Sequence, residues 1–387
     1  MRILQVHTRY REAGGEDAVV EAEAALLRRA GHEVVPYVVE NPTRAVSTGA
    51  SLALSAWNPW SARRLRVAAT RVRPDVVHVH NTWFALSPSI LAPLDLAGIP
   101  VVATLHNYRL VCANAMLFRD GHACEDCVGI HPWNGVRHRC YRGSLAASTA
   151  AAGNIAVNRA LGTWSRHVRL FLTLNEFARQ RFIRGGLPAE RIRVKPNFVP
   201  DPGPRQLPPS RSRTILYVGR LVDEKGVRQL LSAWRDLGAT PLELVIIGDG
   251  PLRSVLEQQS PPGVRFEGSL SREAVQAWML RARALAFPSL LYEGQPMTVL
   301  EAFAAGLPVL ASRHGATAEL LQAVSERWLV PPGEPSAWTR ALGAVGSDDL
   351  VDAAGLRVRE LYEQRFTERL GRRLLESAYQ AALAGGA

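Results

Sequence analysis

Two long stretches of this chain repeat one pattern, a short β-branched run followed by a turn and a helix-spaced run, and each repeat is too long for a hairpin. In the first stretch Ile3–His7, Glu33–Val39, Asp75–His80, Pro100–His106 and Val168–Leu174 read as strands, with helices over Asp17–Ala30 and Ala62–Arg71. In the second, Thr214–Val218, Glu243–Ile247, Val264–Glu267, Ala284–Phe287 and Pro308–Ala311 read as strands. Helices are predicted over Gly226–Leu237, Leu252–Gln259, Arg272–Arg281, Thr298–Ala305 and Ala316–Gln322. Strands joined through helices pair in parallel and need helices on both faces of the sheet. The Pro-rich run from Lys195 to Pro209 separates the two series and reads as a linker. The expected fold class is α/β: two Rossmann-like domains facing a cleft, with the C-terminal helix packing back on the N-terminal domain. The expected boundaries are 1–196 (with a cysteine-rich insert at 107–141), a hinge at 197–209, a second domain at 210–348, and C-terminal helices at 349–387.

Composition narrows the function classes. Of 387 residues 47% are hydrophobic, enough for two cores, which excludes a chain disordered over most of its length. No apolar run approaches the ~18–20 residues of a membrane-spanning helix. The opening Met1–His7 is too short an apolar run for a signal peptide, so a cytoplasmic protein is expected, with peripheral contact at the inner face of the membrane. The net charge of +11 invites a nucleic-acid reading, but 44 of the 46 basic residues are Arg, and they are scattered. No nucleic-acid partner is expected. The two lysines, Lys195 and Lys225, stand out for their rarity.

Several motifs carry chemistry. Gly14-Gly15-Glu16 leaves the first strand and opens a helix, where backbone can approach an anion. Gly219-Arg220-Leu-Val-Asp-Glu-Lys225-Gly226 follows the first strand of the second series. Ligands of open α/β sheets bind at the carboxyl ends of strands, and two cations there can neutralise a diphosphate. Glu293-Gly294-Gln295-Pro296-Met297-Thr298-Val299-Leu-Glu301 places two carboxylates eight residues apart across a helix start. Free amides at Met297, Thr298 and Val299 are expected to face a phosphate, Glu293 to accept sugar hydroxyls, and Glu301 to point toward a ribose. The bland alternative for each motif is a solvated turn or a capped helix. His106 ends the fourth strand, and His78 and His80 share one face of the third. Trp57, Trp60, Trp83 and Phe84 lie in loops, as sugar-stacking residues or as local core.

Cys112, Cys124, Cys127 and Cys140 are the only cysteines. A Cys-x2-Cys pair flanked by two more fits a closed tetrahedral zinc site that staples a loop. A disulfide pair or reduced buried thiols are the alternatives, and His122, His131 and His138 are substitute ligands. A closed site leaves no open coordination position, so no catalytic metal is expected.

Taken together, the Gly-Gly-Glu loop, the Gly-Arg…Lys-Gly turn, Gly248-Asp249-Gly250-Pro251 and the Glu-x7-Glu element resemble those of GT-B glycosyltransferases of family 4, the retaining, nucleotide-sugar-dependent group. The resemblance implies that Arg220 and Lys225 bind the donor diphosphate, Glu301 the nucleoside ribose and Glu293 the donor sugar. It implies that Gly294–Thr298 cradle phosphate and sugar, that Gly268 and Leu270 lie beside the base, and that His106 lies near the donor sugar. Gln295 departs from the aromatic residue common there. The implied reaction moves a sugar from a nucleotide diphosphate sugar to a hydroxyl of a glycan, lipid-linked or small-molecule acceptor. Catalytic roles then fall to His106, Arg220, Lys225 and Glu293. The Asp-x-Asp metal motif of the other nucleotide-sugar fold is absent. A nucleotide-sugar-binding protein without transferase activity and a GT-B epimerase are the alternatives. Oligomeric state leaves no mark in the sequence.

Overall fold

The computed structural model describes residues 1–10, 14–41 and 54–385. They divide into two compact units. The first comprises Met1–Arg119, Cys124–Pro196 and Gly371–Ala387, and the second Asp120–Ala123 with Asn197–Leu370.

The first unit is built on a six-stranded sheet. Its strands are β1 (Arg2–Arg9), β2 (Glu33–Glu40), β3 (Val76–Asn81), β4 (Val101–Leu105), β5 (Leu170–Thr173) and β6 (Ile192–Val194), in the order β2-β1-β3-β4-β5-β6. Every neighbouring pair is parallel. β3, β4 and β5 are buried along their whole length, as strands covered on both faces must be. Helix α1 (Gly15–Arg29) follows β1, α2 (Pro59–Val72) precedes β3, and α3 (Leu145–Ala160) follows the cysteine-rich segment.

The second unit repeats the plan with β7 (Thr214–Val218), β8 (Glu243–Ile247), β9 (Val264–Gly268), β10 (Ala284–Phe287), β11 (Val309–Ser312) and β12 (Leu329–Val330). Their order is β9-β8-β7-β10-β11-β12, again all parallel. The chain reverses its winding between β7 and β10, which makes the loops after those strands the walls of a ligand crevice. Alternation along β7 feeds two cores. Leu216 packs on one face with Val299, Leu300 and Phe303, while Ile215 and Tyr217 pack on the other with Leu230 and Trp234. Helix α4 (Val227–Leu237) buries Val227, Leu230, Leu231 and Trp234, the spacing of a single helical stripe. Each such side chain contributes ~1.5–3 kcal/mol by leaving water.

The Pro-rich stretch is tied to the second unit. The Arg205 guanidinium donates to the carbonyls of Ala282, Ala305 and Gly306, Asp201 pairs with Arg359, and the Asn197 N–H donates to Gln295 Oε1 at 2.6 Å. The tail, expected from sequence to be helical, is broken into α7 (Asp348–Arg365) and α8 (Glu368–Leu383). The break has a cause: Phe366 is buried against Phe303, its carbonyl accepts from the Val199 N–H, and Thr367 bridges Val199 in parallel. Past it, Leu375, Ala378, Tyr379 and Ala382 of α8 enter the core of the first unit beside Ile3, Val76 and Val102.

Candidate active site

In the second unit the loop after β7 carries Gly219–Gly226 and the loop after β10 carries Pro288–Pro296, so both motifs flank the switch point. Glycine makes their approach possible. A Cβ on Gly226 (φ +71°) would lie 2.0 Å from the Pro288 carbonyl oxygen, and one on Gly248 (φ +142°) 1.9 Å from that of Gly219. The loops are also bonded directly: the Leu290 N–H donates to the Glu224 carbonyl at 2.9 Å. Gly219 N–H donates to Ile247 and Leu221 N–H to Asp249, holding the first loop on the end of β8.

This frame sets Lys225 Nζ 2.7 Å from Glu293 Oε1, an oxygen that also accepts from Ser289 Oγ at 2.6 Å. Arg220 is exposed at the same turn, its carbonyl accepting from the Tyr217 hydroxyl at 2.9 Å. His314 donates to the Ser289 carbonyl through Nε2 (2.9 Å), and its ring tilts against Tyr292. Burial lowers its pKa.

Helix α6 (Met297–Ala304) starts at Pro296. The amide of Val299 donates to the Pro296 carbonyl at 3.0 Å, which removes it from the expected phosphate-facing set. Gln295 is likewise committed: its carboxamide oxygen holds Asn197 and the side chain is buried. Glu301, one turn further along, lines a depression with Arg272, Gln276, Met279, Pro200 and Pro202. Its Oε1 is 3.3 Å from Arg272, and burial raises its pKa against the opposing pull of that guanidinium. Gly268 ends β9 with φ +70° and accepts the Gly248 N–H, and Leu270 packs against the core. Arg272 and Ser289 are site residues that sequence reasoning missed. Arg272 opens helix α5 (Arg272–Arg281) and looks like an ordinary solvated first turn.

In the first unit His106 Nε2 lies 3.0 Å from His80 Nδ1, and the two rings stack. Behind them His78 bonds Thr104 (2.7 Å) and the Tyr379 hydroxyl (2.8 Å), while buried Lys195 is ion-paired to buried Glu23. Burial holds His106 near a pKa of about 3 and keeps His78 and His80 well below the usual imidazole range, neighbouring imidazoles and Lys195 adding to it. Burial alone would raise Glu23, but Lys195 and His78 outweigh it and lower the pKa. Among the described residues Glu23, His78 and His80 have ligand atoms within 4.8 Å of one another. The Lys195 ammonium already on Glu23 opposes a metal ion there.

Gly14 caps α1, and its N–H donates to the Asp17 carboxylate at 3.0 Å. That amide is therefore occupied internally, contrary to the anion-binding role expected of it. Gly15 is the first residue of the helix, and residues 11–13 lie outside the described residues. Asp17 also bonds His7 at 2.7 Å. Burial pushes the neighbouring Glu16 up to about 8, where it accepts from Tyr10 and Asn107. Trp83 is core, whereas Trp57 and Trp60 are exposed.

Two parallel six-stranded units of this kind, the second with its loops gathered at the switch point, define the GT-B architecture. The domain family described as Glycosyltransferase Family 4 matches residues 13–201, and that described as Glycosyl transferases group 1 matches residues 212–348. The chain belongs to this glycosyltransferase family. Among curated relatives, a putative colanic acid biosynthesis glycosyltransferase, WcaL of Escherichia coli, is 30% identical over 55% of this chain and 56% of its own. The 2-deoxystreptamine N-acetyl-D-glucosaminyltransferase of Streptomyces fradiae is 29% identical over 71% of this chain and 63% of its own. The chain thus spans a little over half the length of these relatives. The structure of Anabaena HepE in complex with UDP-glucose covers 97% of this chain and 99% of its own at 17% identity, with a TM-score of 0.66. No helix among the described residues is long and apolar enough to cross a membrane.

Proposed function

We propose that the chain is a retaining glycosyltransferase that moves a sugar from a nucleoside diphosphate sugar to a hydroxyl of a glycan, lipid-linked or small-molecule acceptor. The observation that carries this reading is the meeting of Lys225 and Glu293 at the switch point of the second sheet. A cation there neutralises the charge that grows on a departing diphosphate, where preorganised charge is most effective. The exposed Arg220 offers a forked donor from the same turn, and the start of α6 adds the positive end of a helix. Glu293, oriented by Ser289 and Lys225, accepts sugar hydroxyls. Glu301 receives the ribose hydroxyls in the depression beside Arg272.

The names of the relatives, which concern polysaccharide and aminoglycoside assembly, support a carbohydrate-like acceptor. The HepE complex supports starting with a uridine donor. Retention follows if the acceptor attacks from the face the diphosphate leaves, with a phosphate oxygen taking the acceptor proton. His106 of the first unit offers a neutral imidazole for the sugar-side role that the family resemblance implies.

The test is calorimetry against a panel of nucleoside diphosphate sugars beginning with UDP-glucose, followed by nucleoside diphosphate release and the anomeric configuration of any product. Binding of one donor class with slow hydrolysis is expected. Absence of binding across the panel sinks the reading, and binding with interconversion of the sugar and no transfer favours an epimerase.

A further inference from the structure

The segment between β4 and α3 holds all four cysteines and very little regular structure. Its strands are two residues long (Phe118–Arg119 and His122–Ala123), and its one helix, Asn134–Arg137, is a single turn. Among the described residues seven non-glycine residues have left-handed φ, and five of them lie here: Ala115, Leu117, Asp120, Arg139 and Arg142. Such conformations persist only where the surroundings over-determine them. Tyr108, Val111, Ala113 and Leu117 are buried in this segment, but the two-residue strands and single helical turn give its turns little regular backbone support.

The structure brings Cys112, Cys124, Cys127 and Cys140, spread over 29 positions of sequence, to the wall of one small cavity. None of the four is in a disulfide. None of His122, His131 and His138 lines that cavity. Asp126, inside the Cys-x2-Cys turn, and Gly135 line the same wall. Thiolate is the form that binds metal. Two guanidiniums face the same sulfurs: Arg119 acts on Cys124 and Cys140, and Arg159 on Cys127.

The structure assigns this cavity as a structural zinc site with Cys112, Cys124, Cys127 and Cys140 as its four ligands. Soft thiolates in a tetrahedral set select zinc among the common divalent ions, and four protein ligands leave no open position for catalysis. The sulfurs stand around the wall wider than ligand spacing. As thiols, Cys112 donates to Asn114 Oδ1 at 2.9 Å and Cys127 faces the Pro132 carbonyl. Binding releases one proton from each thiol, forms four Zn–S bonds and leaves a doubly negative centre, which Arg119 and Arg159 offset.

The full chain, expressed with zinc and desalted through a chelator, is expected to hold about one zinc per chain by elemental analysis. Cobalt substitution should give the intense visible bands of tetrahedral thiolate coordination, and a strong chelator should lower Tm. Cys140→His, which keeps four ligands, should retain the metal; Cys140→Ser should lose most of it. Because a serine variant can misfold, the wild-type metal content decides. Less than about a tenth of an equivalent of zinc, with thiol reactivity unchanged by added zinc, overturns the assignment, as does iron–sulfur absorbance.

Discussion

Lys225 Nζ and Glu293 Oε1 stand 2.7 Å apart, although 68 residues of sequence separate them. The pair is partly exposed, so little of the fold depends on it. Lys225→Ala should therefore leave Tm within a degree or two while weakening nucleoside diphosphate binding. A charge-assisted hydrogen bond of ~1.5–3 kcal/mol corresponds to roughly 10–100-fold in Kd. Calorimetry of both variant and wild type checks it. Unchanged affinity would remove Lys225 from the site.

On the proposed reading, Glu301 and Arg272 serve nucleoside recognition, apart from the phosphate recognition assigned to Lys225. Glu301→Gln keeps the shape but loses the charge that holds Arg272 at 3.3 Å. Its expected effect is a loss of about tenfold in nucleotide affinity, with inorganic diphosphate inhibition unchanged. Equal losses for both ligands would show that Glu301 acts on the phosphates or through the fold.

Gly248 is a point where no side chain fits. Gly248→Ala places a Cβ 1.9 Å from the Gly219 oxygen at a φ that alanine resists. A loss of ~2 kcal/mol or more is expected, with donor binding lost in parallel because Gly219 opens the turn proposed to hold the phosphates. Thermal unfolding measures it. A fully stable, fully active variant would mean the loop has freedom this structure does not show.

Acid should destabilise the protein below about pH 6. His7, His78, His80, His106 and His314 all have lowered pKa, burial being the main cause. The unfolded chain takes up protons at these positions below ~6.5 while the folded chain does not, so stability rises with pH up to that value. Glu16, raised to about 8, and Glu301 act the opposite way, keeping a proton in the folded state and losing stability as pH rises. Histidines outnumber them, so the acid limb dominates. His80→Gln should flatten the dependence of Tm between pH 5 and 7; an unaltered slope refutes the account.

Much of the second unit is legible because each apolar run there is bounded by glycine or proline. Thr214–Val218, Glu243–Ile247 and Ala284–Phe287 match the observed strands residue for residue. Ile192–Val194 and Leu329–Val330 escape because two or three residues carry no period. The break at Phe366 escapes for another reason: it is set by Val199, far away in sequence. The same holds for the site. Lys225 and Glu293 stand out by residue type and by the Gly-rich runs around them. The tie between Gln295 and Asn197, the pairing of Glu301 with Arg272, and the burial of Glu23 with Lys195 are long-range facts that no local pattern announces.

Helix α8 supplies Leu375 and Tyr379 to the core that begins at Ile3, and the Tyr379 hydroxyl reaches His78. During synthesis, therefore, the earliest strands emerge from the ribosome long before the residues that seal them. The first unit waits, incompletely closed, while the whole of the second is made. A stop codon or a frameshift ahead of α8 would strike the first unit, and a growing chain would need protection from aggregation until that helix arrives.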